Sequence, residues 1–166
     1  MEYDINPCGL LDKFLWDNRG QQITLILTSG FHLKGKLLDY DSAHIKLETC
    51  QYSPDKKTPQ EYLQNKSMVS GAIPQVSLPK NSSSSDKFSH HDEHLLVDFL
   101  QKNRDKPVTM LLSTRYLLMG TLMDFDYAYV NVMTRAYGNK DNREVPCLQA
   151  LSVVSGFLAG YCKAGH

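Results

Sequence analysis

The sequence is short of several things, and each shortage closes a door. It has no run approaching the roughly 18 apolar residues that a membrane-spanning helix needs. Its four cysteines, Cys8, Cys50, Cys147 and Cys162, form no CxxC pair, so zinc-ribbon and thioredoxin-like chemistry have no footing. The N-terminus, Met1-Glu2-Tyr3-Asp4, is acidic and lacks the apolar stretch of a secretory signal. No excess charge exists either: 18 Lys and Arg face 18 Asp and Glu. A long phosphate-tracking surface is therefore not expected, although a local basic patch is compatible with neutrality. No Ser/His/Asp set, metal box or phosphate loop is present, and the chain does not read as an enzyme. No cofactor is implied. The expectation is a cytoplasmic protein with reduced thiols and no membrane partner.

What the sequence does have is itself, twice. At a constant offset of 85 residues, Leu10, Leu11, Phe14, Leu15, Asn18 and Arg19 return as Leu95, Leu96, Phe99, Leu100, Asn103 and Arg104. Leu33, Gly35, Leu37, Asp39 and Asp41 return as Leu118, Gly120, Leu122, Asp124 and Asp126. The match runs ungapped from Leu10 to Thr49, and repetition of this kind points to a duplicated unit. Between the copies, Lys80-Asn81-Ser82-Ser83-Ser84-Ser85-Asp86 buries nothing and reads as a flexible linker. The expected organisation is a first domain over 1–79, a linker over 80–92 and a second domain over 93–166. His90, His91 and His94 follow the serines; they read as a solvated helix start, with metal binding left open.

Each unit opens with a helix. Asn6 can cap the first and Pro7 suits its first position, while Ser89 and Asp92 resemble a capping box for the second. Leu10, Leu11, Phe14 and Leu15 make an apolar face at 3/4 spacing, repeated by Leu95, Leu96, Phe99 and Leu100. Alternating strands follow at Ile23–Leu27 and Val108–Leu112. A long strand then runs from Phe31 to Tyr40 and again from Tyr116 to Phe125. Each is interrupted by a glycine, Gly35 or Gly120, as a bend requires. A third strand spans about Ala43–Thr49 and Ala128–Thr134. Polar loops, Cys50–Lys66 and Arg135–Glu144, precede a last apolar stretch, Met68–Leu78 and Val145–Phe157. The loops are either solvated insertions or partner surfaces. The fold class is mainly β: two small barrels, each a short helix followed by a strongly bent five-stranded antiparallel sheet.

The segments Ile23–Asp41 (ITLILTSGFHLKGKLLDYD) and Val108–Asp126 (VTMLLSTRYLLMGTLMDFD) resemble the first Sm motif in its Hfq form. The closing Val69–Pro79 (VSGAIPQVSLP) resembles the second, with Leu148–Val154 (LQALSVV) as its twin. The resemblance implies barrels that join edge to edge in rings. A tandem chain would then form a homotrimer with pseudo-sixfold symmetry. It also implies single-stranded RNA as partner. The family's uridine pocket uses a Lys-His pair; here Ser70-Gly71 and Leu148-Gln149 stand in those positions, and Ala43 and Ala128 replace its stacking aromatic. A-rich RNA is therefore expected over U-rich. Phe31, His32 and Lys34 match the family's A-rich RNA tract, with Tyr116 as twin. Arg19 and Arg104 lie near its basic rim, although Arg close to a helix C-terminus also suits the helix dipole. Tyr127 is a weaker candidate beside Ala128. Arg115 replaces a turn glycine, which predicts an altered turn. Two functions remain open: an RNA-binding riboregulator or RNA chaperone, and an assembly module that no longer binds RNA.

Overall fold

The computed structural model describes residues 9–75, 94–135 and 143–161. Each half supplies one helix and five strands. In the first half these are α1 (Leu10–Asp17), β1 (Gln22–Leu27), β2 (His32–Tyr40), β3 (His44–Thr49), β4 (Gln60–Asn65) and β5 (Val69–Pro74). In the second they are α2 (Leu95–Lys102), β6 (Pro107–Leu112), β7 (Leu117–Phe125), β8 (Tyr129–Thr134), β9 (Val145–Ala150) and β10 (Val154–Ala159). Every element lies 85 residues from its twin, so the repeat persists beyond Thr49 to the end of β5. The serine linker, Asn6, Pro7, Ser89, Asp92, His90, His91, Cys8 and Cys162 lie outside the described residues.

The strands of the two halves are joined rather than separate. They make one open antiparallel sheet in the order β5-β1-β2-β3-β4-β10-β6-β7-β8-β9. Its centre is a short pairing between halves, Gln64 with Gly156, Leu63 with Phe157 and Tyr62 with Leu158. The sheet carries two apolar clusters. Leu15, Leu25, Leu37 and Leu47 anchor the first, which also takes Leu111 and Leu158 from the second half. Phe99, Met110, Leu122 and Val132 anchor the second, which takes Leu63 from the first. Each half thus completes its neighbour's core.

Local sequence explains most of these elements. In β1, and in β2 as far as Leu37, every second residue is buried, the period-2 pattern of a sheet with one covered face. Gly35 and Gly120 sit where the third strand crosses closely. An added Cβ would lie 2.8 Å from the Glu48 carbonyl oxygen or 2.5 Å from that of Met133. Both long strands slip register just after them, between Leu37 and Asp39 and between Leu122 and Asp124. Asn18 and Asn103 close the helices, each amide donating to the carbonyl four residues back at 2.8 Å.

Three expectations need correction. Gln60–Asn65 lies inside the stretch read as a polar loop, yet it is β4. Its polar character hid a strand that pairs with β3 on one side and β10 on the other, and whose Tyr62 and Leu63 are buried. Val145–Phe157 is not one stretch but β9, a 3-10 turn at Leu151–Val153, and most of β10. The twin of the Ala72-Ile73 pair is therefore Phe157-Leu158, not Ala150-Leu151. Finally, Leu10 does not join the apolar face of α1; it is 78% exposed, whereas its twin Leu95 is buried.

The pairing between halves generates the first prediction. At Gly156 a Cβ would meet the Tyr62 hydroxyl at 2.1 Å and its ring at 2.5 Å, and that ring is fully buried and stacked on Tyr52. Overpacking of this kind costs about 1–3 kcal/mol. Gly156→Ala should therefore lower the denaturation midpoint clearly. Gly71→Ala, at the twin position where the nearest atom is the end of Ile26 at 3.4 Å, should change it far less. Equal midpoints in urea titrations of the two variants would contradict the packing described.

Candidate nucleic-acid interface

The expected contact residues fall into three groups. Phe31, His32 and Lys34 open β2. Phe31 is half exposed, and Leu33 between the two polar residues points into the core. His32 and Lys34 line a cavity of about 580 Å³ with Gln22, Gly35, Glu48, Thr49, Cys50, Gln51, Lys56 and Pro59. The outer wall of that cavity is the loop after β3. Gln51 pins it to the sheet, accepting from the Lys34 backbone N–H at 3.0 Å and donating to the His32 carbonyl at 3.0 Å. In effect one side chain continues β3 past its end.

Asp55 holds the far side of the loop. Its carboxylate accepts from the Lys57 and Thr58 backbone N–H groups at 2.9 Å each, from the Thr58 hydroxyl at 2.8 Å and from the Ser53 hydroxyl at 3.1 Å. The two backbone hydrogen bonds, from Lys57 and then Thr58, hold its carboxyl well below the usual carboxylate range. Lys56, in the left-handed conformation at φ 59°, donates to the Gln51 carbonyl at 2.7 Å. The side chains of His32, Lys34 and Glu48 make no hydrogen bond or ion pair among the described residues. A set of unspent polar groups around one concavity is what a ligand site requires.

The rim residues are differently placed. Arg19 lies over the Trp16 ring, 5.3 Å from its centroid. Arg104 pairs with Asp124 at 2.8 Å and covers Phe125 at 5.3 Å. Both guanidiniums are folded onto their own half near helix ends, and neither is brought to the cavity. Tyr127, at the turn between β7 and β8, is 98% exposed and also stands apart. Tyr116 opens β7 as Phe31 opens β2, and it is half exposed.

Sequence reasoning missed two residues. Lys66 begins the 3-10 turn Lys66–Met68 that leads into β5, whereas Ser70 and Gly71 already lie inside that strand. The turn before the last strand therefore does carry a cation in the first half. Its twin is Leu151. The Lys66 ammonium is taken up by Asp12 at 2.5 Å and by the Tyr40 ring at 5.4 Å, so it is not a free phosphate contact. Only a correct placement of β4 would have put Lys66 in that turn.

The second missed residue is Arg115. The turn it occupies is not altered. Gly30 and Arg115 make the same hydrogen bond, to the Leu27 and Leu112 carbonyls at 2.8 and 2.9 Å, and both are left-handed, at φ 91° and 74°. The left-handed conformation costs a side-chain-bearing residue about 1–2 kcal/mol. Arg115 offsets it across the boundary between halves. It donates to the Ser29 carbonyl and lays its guanidinium over Phe31, 5.7 Å from the ring centroid. No sequence pattern within one half could have shown this.

The carboxylates repeated at the end of the long strands are structural. Asp41 accepts from the Ala43 and His44 N–H groups at 2.8 and 2.7 Å, and Asp126 from those of Ala128 and Tyr129 at 2.7 Å. These bonds, first that of Ala128, hold the Asp126 carboxyl below its ordinary value. Among the described residues no group of His, Cys, Asp and Glu is arranged to hold a metal ion. His94 is the residue before α2 and makes no side-chain cap.

The Asp55 loop yields a prediction with a definite sign. A carboxylate with a depressed folded pKa contributes above its unfolded value, about 3.9, and loses that contribution only as pH falls through the folded one. The Lys57 and Thr58 amides should therefore keep their chemical shifts at pH 3, and Asp55→Ala should speed their hydrogen exchange with little effect on global melting. Shifts that titrate near pH 4 would contradict the assignment.

Comparison with family models, with curated proteins and with solved structures returned no match for this chain.

Proposed function

We propose that this chain is a tandem Sm/Hfq-like single-stranded-RNA-binding protein. Its two small-barrel units continue, copy to copy, into a closed ring of three chains and six units. The observation that carries the reading is the pairing of β4 with β10. It is a complete head-to-tail contact between two versions of one unit, and both of its faces recur, unoccupied, at the outer edges of the sheet. β9 is the twin of β4, and β5 is the twin of β10.

The residues agree with the strands. Leu63 and Leu158 are buried in the internal contact, while their twins Leu148 and Ile73 are 67% and 48% exposed. Gln64 donates to the Ser155 carbonyl at 2.9 Å and to its hydroxyl at 3.0 Å, and both partners are retained as Gln149 and Ser70. The Leu95 N–H at the start of α2 donates to Asp41 at 2.9 Å. Its twin Leu10 and the twin acceptor Asp126 are both exposed. An unpaired strand edge with apolar neighbours calls for a partner, and a second copy fits in the internal register: Gly71 with Gln149, Ala72 with Leu148, Ile73 with Cys147. Pro146, the twin of Glu61, falls beside that three-residue segment rather than in it. A head-to-tail contact closes into a ring or runs on as a filament.

RNA binding is supported by Phe31, His32, Lys34 and the cavity next to them. Bases stacked on an aromatic contribute about 1–3 kcal/mol each, and phosphate contacts make affinity fall with salt. The second reading, an assembly module without RNA, is favoured by the engagement of Arg19, Arg104 and Lys66 with their own neighbours.

Light scattering should give three chains at micromolar concentration, and Leu148→Lys should reduce this to one without loss of β structure. Ile73→Cys should cross-link through Cys147 of a neighbouring copy on oxidation, and should fail to do so when Cys147→Ser is added. A stable monomeric parent would sink the ring. Oligo-A should bind better than oligo-U, with affinity falling as salt rises, and Lys34→Ala should weaken binding and flatten the salt slope. If the parent binds neither oligomer at low salt, the assembly reading stands instead.

A further inference from the structure

Arg115 sits where its twin, Gly30, shows that no side chain is needed. It accepts a left-handed backbone there and reaches into the other half of the molecule. One of its five N–H donors is used on the Ser29 carbonyl, and its plane lies over Phe31, itself half exposed. Phe31 precedes His32 in the chain, and His32 and Lys34 line the cavity whose outer wall is the Asp55 loop. Arg115 brings a cation to Phe31, Lys34 follows three residues on, and Glu48 is the one carboxylate among the described residues that line the cavity.

We infer that Arg115 and Phe31 together form a nucleobase-stacking platform at the boundary between the halves, with Lys34, three residues beyond Phe31, for an adjoining phosphate. This rests on the RNA-binding reading and adds to it a residue, a ligand class and a stoichiometry. The ligand is one nucleotide of a single strand, or the same unit free in solution. A guanidinium plane and an aromatic ring both stack on bases, and the remaining N–H groups of Arg115 can meet a base edge or a phosphate. The platform occurs once per chain. Where a second copy follows, the residue brought to Tyr116 is Gly30, which has no side chain to lay over it. Strong and weak sites therefore alternate around the assembly.

The test uses the full chain and an oligo-A carrying one 2-aminopurine, whose fluorescence is quenched by stacking, alongside adenosine monophosphate as the free unit. Parent protein should quench the probe, with one strong site per chain. Arg115→Gly suits the backbone at this position, so it should keep the melting temperature. It should lose about tenfold in affinity, the scale of one stacking contact, together with most of the quenching. Arg115→Lys keeps the charge without the plane; it should restore the salt slope and not the quenching. Quenching by adenosine monophosphate alone marks a free-nucleotide site, whereas quenching only by the oligomer marks a strand site; both uphold the platform. If the parent binds oligo-A and Arg115→Gly binds and quenches equally, the platform is overturned and the RNA reading survives. If the parent binds no oligonucleotide or nucleotide, both fall. If Arg115→Gly separates the halves or unfolds, Arg115→Lys decides: full quenching there makes Arg115 a fastener only and overturns the inference.

Discussion

Three residue pairs of antiparallel contact between β4 and β10 join the two halves of this molecule in one sheet. Backbone N–H and C=O groups at a strand edge must find partners, and here each half satisfies an edge of the other. Much else follows from that contact. It buries Leu63 in the core of the second half and Leu158 in that of the first. It encloses the Tyr62 phenol, whose hydroxyl donates to Gln64 at 2.9 Å and whose ionisation burial pushes well upward. It brings α2 over the first half, where Asp41 takes the helix's first N–H and Glu61 accepts from Lys102 at 3.0 Å. It also brings the two hairpin tips together, so that Arg115 can reach Phe31.

Much of the architecture could be read from the sequence, because period and repetition are local signals. The alternation in Ile23–Leu27, the glycines at 35 and 120, and the helix faces around Phe14 and Phe99 all depend on near neighbours. What could not be read depends on the partner half. Gln60–Asn65 pairs with β3 along its whole length, yet its Gln64 and Leu63 find their buried partners, Ser155 and Phe157, in the other half. Alone, the segment has the composition of a loop. The same blindness displaced the twin of the last strand by several residues. It also left unforeseen that the strands of both halves join in a single open sheet.

The candidate site divides along the same line. Phe31, His32 and Lys34 were visible as an aromatic and two polar groups on one tract. The cavity beside them was not, because its wall is an irregular loop whose order comes from four hydrogen bonds to one carboxylate, Asp55. Arg115 stood out in sequence as a misplaced residue in a glycine position. Its significance is a distance between residues 84 positions apart. Arg19 and Arg104 show the converse: conspicuous cations whose charge is already engaged within their own half.

The cap that Asp41 places on α2 bears on the order in which the chain can fold during synthesis. His94 puts no side-chain cap on α2, and among the described residues the first turn is anchored by Asp41, in the β2–β3 turn of the earlier half. The half made first thus serves as a template for the start of the half made second. The β4 edge must wait longer still, since its partner β10 follows every other strand of the second half in sequence. Through that interval a row of backbone donors and acceptors stands open to other chains. Gln60, Glu61, Gln64 and Asn65 give that waiting edge a polar, charged border, which is how an edge is kept from premature pairing. The composition that disguised β4 as a loop is, on this view, its protection during translation.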